Sequence, residues 1–172
     1  MWLRWKGAIT DESKGILEES VQHSICWTSD LDFMMHMNNS RYLRECDFAR
    51  FKLWFDTGVF ETLRRINASM VVASSTIRYR RSMHLLERFQ IRSRVLCWDD
   101  RAFYIEQKVE RASDNFICAI VILKQTITGG KMDELLEALY GHHIPECPKF
   151  PVEVELFIEC HRKSSETLRR GL

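Results

Sequence analysis

The run Ser29-Asp30-Leu31-Asp32-Phe33-Met34-Met35-His36-Met37-Asn38-Asn39-Ser40-Arg41-Tyr42 joins two patterns that require different backbones. Before it, Val21, His23, Ile25 and Trp27 alternate with Gln22, Ser24 and Cys26, the period of a half-buried strand. After it, Arg41 to Phe55 contains good helix formers and no Pro or Gly, with Asn39 or Ser40 as N-cap. Two acids and a histidine therefore fall at a strand-to-helix junction. First-turn N–H groups and the helix dipole stabilise developing negative charge there, which suits holding and hydrolysing an activated carbonyl.

Working outward, the helix carries Tyr42, Leu43, Cys46, Ala49, Phe51, Leu53, Trp54 and Phe55. Apolar residues on more than half its circumference predict a helix enclosed by protein. Thr57-Gly58 ends it, and Val59 to Ile66 forms a shorter helical segment. Four strands follow, Met70 to Arg80, Glu87 to Trp98, Ala102 to Arg111 and Phe116 to Ile127, broken by Arg81-Ser82-Met83-His84, Asp99-Asp100-Arg101 and Ser113-Asp114-Asn115. Their spacing suggests consecutive antiparallel hairpins. Phe116 to Leu123 is apolar on both faces and reads as a central strand covered on both sides. Strand, long helix and four strands is an α+β order: one antiparallel sheet wrapped around one helix.

After Gly129-Gly130, Met132 to Tyr140 reads as a short helix stopped by Gly141, and Pro145, Pro148 and Pro151 mark a connector. From Val152 to Arg170 a strand-like alternation of Val152, Val154, Leu156 and Ile158 competes with helical signals such as the Glu166–Arg170 pair, and helix is favoured. The chain thus divides into a lead-in (1–20), a core domain (21–128) and a C-terminal helical extension (129–172).

Composition narrows the function classes. A chain of 172 residues, 45% hydrophobic, buries roughly two-thirds of its unfolded surface around one core. Lys+Arg 25 against Asp+Glu 24 supplies no field for gathering nucleic acid, so an anion site must be local. Cys26, Cys46, Cys97, Cys118, Cys147 and Cys160 form no CxxC pair, which speaks against a metal site and for reduced, buried thiols in a reducing compartment. The longest apolar run, Phe116 to Leu123, is far short of the roughly 20 residues of a membrane span. Trp2 and Trp5 with Arg4 and Lys6 either touch a membrane interface or pack loosely.

The order strand, Asp-x-Asp-x-x-x-His-x-Asn-Asn-x-x-Tyr, helix and four strands, over about Val21 to Thr128, resembles the hotdog-fold acyl thioesterases, including hydroxybenzoyl-CoA thioesterases and plant acyl-carrier-protein thioesterases. The resemblance implies a single hotdog domain that pairs into homodimers or higher homo-oligomers, with sites at subunit boundaries. It also implies a thioester of coenzyme A or acyl carrier protein as substrate, and no cofactor. One member of the family carries an apolar amino-terminal segment that this chain lacks. The expectation from these residues is a cytoplasmic protein, with association to the endoplasmic reticulum membrane as the alternative should an anchor be missing from this chain.

In the hydrolytic members the second acid of the pair is nucleophile or general base, and Asp32 matches it; the alternative is an Asp that caps the turn. His36 matches a histidine that orients water or the acyl carbonyl. Met34 stands where the plant enzymes have an asparagine, which removes one polar group, although hydroxybenzoyl-CoA-type enzymes lack it too. Asn38, Asn39, Ser40 and Arg41 are candidates to bind substrate, chiefly through backbone N–H groups, with both asparagines also helix caps. Glu45 is either a second acid or an ion-paired partner of Arg41 and Arg44. Met34, Met35 and Met37 either pack or line an acyl site.

Among Arg78, Arg80, Arg81, Arg88, Arg92 and Arg94, the pair Arg80 and Arg81 beside a turn are the better candidates for the phosphates of the carrier; the rest suit a solvated sheet face. The expected activity is hydrolysis of apolar (fatty) acyl thioesters. The alternatives are a non-catalytic acyl-thioester or lipid binder, and a dimeric interaction scaffold that recruits partners through residues 145–172.

Overall fold

Alternating apolar residues need a sheet to bury them and the helix after the motif supplies the other layer, an arrangement the computed structural model describes over residues 14–170. The elements are β1 (Ser20–Ile25), α1 (Asn39–Asp56), α2 (Val59–Arg65), β2 (Ser69–Tyr79), β3 (Arg88–Trp98), β4 (Ala102–Arg111), β5 (Ile117–Thr128), α3 (Met132–Tyr140) and α4 (Val152–Arg170), with one 3-10 turn at Thr28–Asp30. Trp2, Arg4, Trp5 and Lys6 lie outside the described residues. No helix among the described residues is long and apolar enough to cross a membrane.

The five strands form one antiparallel sheet in the order β1-β3-β4-β5-β2. This corrects the expectation of consecutive hairpins. The strands β3, β4 and β5 do form a meander, but β2 crosses over to pair with β5, Ile77 opposite Val121, and becomes an edge. As expected, β5 is an interior strand, between β4 and β2. The middle strand is β4, and its first six residues, Ala102 to Gln107, are all buried because both faces are covered.

One cover is α1. Tyr42, Cys46, Ala49, Leu53 and Trp54 join Phe89, Ile91, Phe103, Ile105 and Leu123 in a single apolar core. Trp54 packs on Phe103 at 5.2 Å between ring centres and donates its indole N–H to Gln125 Oε1 at 3.1 Å. The other cover is α4, which confirms a helix over Val152–Arg170. It presses Val154 and Phe157 onto Cys97 and Tyr104 on the outer face of the sheet.

The central helix is less enclosed than its composition predicts. Phe48, Phe51 and Phe55 form an outward row, 55%, 53% and 61% exposed, because a helix lying on one sheet buries only the face toward it. Its cap also differs from expectation: Asn38 accepts the N–H of Ser40, so the helix starts at Asn39. Gly58 adopts φ +72°, the left-handed turn that lets α2 leave α1 directly.

Candidate functional site

The two acids of the motif have opposite environments. Asp30 is buried; one oxygen accepts the Trp27 N–H at 2.9 Å and the other accepts Arg44 Nη2 at 2.7 Å. Its backbone carbonyl accepts the Asn38 N–H at 2.8 Å, so Asp30 braces both ends of the loop. Asp32 is half-buried at the mouth of a tight turn. Its N–H donates to the His36 carbonyl at 2.9 Å, its carbonyl accepts from Met35 at 3.1 Å, and Oδ1 accepts the Met34 N–H at 2.8 Å. Among the described residues, Oδ2 has no partner. Met35 closes the turn at φ +61°, a backbone region non-glycine residues seldom enter.

The amides at the start of α1 are largely used by the chain itself. Asn38 N–H donates to Asp30, Ser40 N–H to Asn38 Oδ1 at 2.9 Å, and Arg41 N–H to the Asn38 carbonyl at 2.8 Å. Asn39 N–H has no acceptor among the described residues. Of the first-turn donors expected to polarise a carbonyl, Asn39 is the open one. The side chain of Arg41 is half-buried and forms no ion pair among the described residues.

His36 meets a residue that the sequence did not single out. It forms an antiparallel bridge with His84, and the two rings meet edge to face with centres 4.8 Å apart. The pairing joins the motif loop to the β2–β3 connection across 48 positions of sequence. Nothing in the polar break around His84 marked it out. The adjacent Met83 N–H donates to the hydroxyl of Tyr42, whose acidity burial suppresses, up to about 12.

The methionines divide. Met37 is buried in the core, whereas Phe33, Met34 and Met35 are 95%, 60% and 62% exposed at the loop tip. Glu45 is ion-paired, accepting from Arg44 at 2.8 Å and from Ser24 Oγ at 3.0 Å, not a free second acid. Arg80 and Arg81 lie over the Phe116 ring, their guanidiniums 4.9 and 3.9 Å from its centre, and Arg81 reaches Asp114 at 3.6 Å. Arg92 and Arg94 pair with Glu19 and Glu106 on the sheet.

Thiol chemistry is remote from this arrangement. Cys26, just before the motif, is pushed up to about 11 by burial and then by the neighbouring Asp30, and burial pushes Cys46 up to about 12, so both stay protonated thiols. Among the described residues no three His, Cys, Asp or Glu side chains gather as metal ligands. The site offers one open carboxylate oxygen, one open helix N–H, a histidine pair and an apolar lip. That combination suits attack on an activated carbonyl.

A sheet wrapped on a central helix, with this acid at the helix start, is the hotdog architecture of thioesterases. Residues 26–149 match the model of the Thioesterase-like superfamily, and the chain belongs to that family. It is 43% identical over 164 residues to Protein THEM6 of Xenopus laevis, covering 95% of this chain and 79% of that one. It is 39% identical to Protein THEM6 of Danio rerio over 98% and 83% of the two chains. Among solved structures, YbaW Probable Thioesterase from Escherichia coli superposes with a TM-score of 0.60 at 21% identity, over 70% of this chain and 98% of that one. The Staphylococcus aureus protein SAV2348 in complex with CoA gives 0.65 at 9% identity, over 82% and 94%.

Proposed function

We propose that this protein hydrolyses apolar acyl thioesters of coenzyme A or acyl carrier protein, with Asp32 as nucleophile or general base. The observation that carries the assignment is the contrast between the acids: Asp30 is buried and ion-paired, whereas Asp32 keeps Oδ2 open at the mouth of the loop. A carboxylate there attacks the thioester carbon or takes a proton from water, while the Asn39 N–H stabilises the developing oxyanion. His36 orients water or the carbonyl, and Phe33, Met34 and Met35 supply apolar contact for the acyl group. Solved structures that share the fold include a 1,4-dihydroxy-2-naphthoyl-CoA thioesterase and a gentisyl-coenzyme A thioesterase, so the scaffold is one that carries thioester chemistry elsewhere.

The active unit is a homodimer. Tyr79 at the end of the exposed edge strand β2 donates its hydroxyl to the Asn39 carbonyl at 2.9 Å, which sets the start of α1 beside the edge where a second copy extends the sheet. Residues 21–128 form the hotdog unit and 129–172 an extension. The free thiols of all six cysteines suit a reducing compartment, and we place the protein in the cytoplasm.

A second reading is a non-catalytic acyl-thioester binder, favoured by the bond from the Met34 N–H to Asp32 Oδ1, which is the bond of a turn cap. Free-thiol release from short aliphatic, long-chain and aromatic acyl-CoA separates the two. Turnover of apolar chains supports hydrolysis, and saturable binding without turnover supports the binder.

A further inference from the structure

The connector between α3 and α4 is anchored to the sheet by Cys147 and Phe150. Cys147 Sγ accepts the Trp98 N–H at 3.4 Å, its thiol donates to the Trp98 carbonyl at 3.3 Å, and the Phe150 ring meets Tyr104 at 5.7 Å between centres. Cys97 immediately precedes Trp98 and is buried on the outer face of the sheet with Tyr104, Val154 and Phe157. A register shift between Val95 and Cys97 turns it there. Val95 and Trp98 join the inner core, whereas Leu96 and Cys97 both lie in the outer cluster, on the face the connector crosses.

The two sulfurs are therefore neighbours across different elements. Two covalent bonds separate Trp98 N from Cys97 Cα, so Cys147 Sγ lies within about 6 Å of that atom. Burial first, and then Cys147 beside it, pushes the Cys97 thiol up to about 12. Cys97 is enclosed, and Cys147 is exposed. Among the described residues of α4, Val154 and Phe157 alone are buried, so the whole extension is held to the sheet by a small contact.

We propose that Cys97 and Cys147 form a redox-sensitive pair that closes to a disulfide and clasps the connector, and with it α4, to the outer face of the sheet. This inference does not rest on the Asp32 site. The oxidant is a small disulfide such as glutathione disulfide. The exposed Cys147 thiolate attacks it, forming a mixed disulfide and releasing one glutathione thiolate. Cys97 then loses its proton and attacks the Cys147 sulfur, releasing the second glutathione. Two protein thiols are oxidised and one glutathione disulfide is reduced to two thiols. The exposed connector is the side that moves to close the bond, since β3 is fixed between β1 and β4.

The full chain is titrated with glutathione disulfide, followed by thiol counting, peptide mapping and amide exchange. The expected result is the loss of two thiols, a transient glutathione adduct on Cys147, and a linked peptide pair containing Cys97 and Cys147. The Tm of the linked form rises by at least about 4 °C, exchange over residues 141–158 slows at least fivefold, and dithiothreitol reverses both. Cys147→Ser, an exchange at an exposed position, gives neither the linked pair nor the slower exchange. A stable glutathione adduct on Cys147 with Cys97 left free, a bond from Cys147 to Cys160, or a Cys97–Cys147 bond with unchanged exchange overturns the proposal.

Discussion

Asp30 and Arg44 meet at 2.7 Å and tie the strand-to-helix turn to the second turn of α1. The carboxylate is nearly inaccessible, and its other oxygen holds the Trp27 N–H. Asp30→Ala strands both donors and is expected to destabilise the protein by about 2 to 3 kcal/mol. Asp32→Ala, removing one bond at a half-exposed turn, costs under about 1 kcal/mol. Urea unfolding of the two variants checks the order, and equal losses would mean that the acids do not divide the roles of brace and chemistry.

Arg50, a buried residue of α1, donates to Gln107 Oε1 at 2.9 Å, while Gln107 Nε2 donates to the Cys46 carbonyl and Ser93 Oγ, each at 2.9 Å. Gln107→Leu takes one partner each from Arg50, which keeps its ion pair with Asp47, from the Cys46 carbonyl and from the Ser93 hydroxyl. The expected loss is about 2 kcal/mol in denaturant unfolding, more than a volume-conserving apolar exchange nearby costs.

Arg111 beside Asp114 holds that carboxyl down at about 2, and Arg162 does the same for Glu159, also at about 2. Both folded values lie below the unfolded ones, so the stability they contribute is complete above about pH 4.5 and is lost as pH falls toward 2. Asp114→Asn with Glu159→Gln is therefore expected to be less stable than wild type near neutral pH and to lose less between about pH 4.5 and 2. Thermal unfolding across that range reads the difference; parallel curves would contradict the pairing.

Much of the fold was legible because its signals are local. The helix Met132–Tyr140 was bounded by glycines on both sides, and β4 by Asp99-Asp100-Arg101 and Ser113-Asp114-Asn115. Partner choice was not legible, since β2 follows α2 and precedes β3 in sequence yet pairs with β5 through contacts that no neighbouring residue encodes. The same holds at the site. The family resemblance pointed to Asp32 and His36, but which acid is buried depends on Arg44, and the partner of His36 comes from a different connection.

The exposed edge β2 gives the proposed dimer its test. Val72→Lys with Thr76→Lys places repelling charges along that edge. Light scattering is expected to show a dimer for wild type and at least tenfold weaker association for the variant, with unchanged circular dichroism. A wild-type monomer would contradict a site shared between copies.

The central claim is tested most directly by thiol release from a long-chain acyl-CoA by wild type and Asp32→Asn, with acyl-CoA binding measured alongside. The expected result is a fall in kcat of about 100-fold or more with binding retained, the scale for loss of a positioned base or nucleophile. Unchanged turnover in Asp32→Asn would contradict the assignment of Asp32.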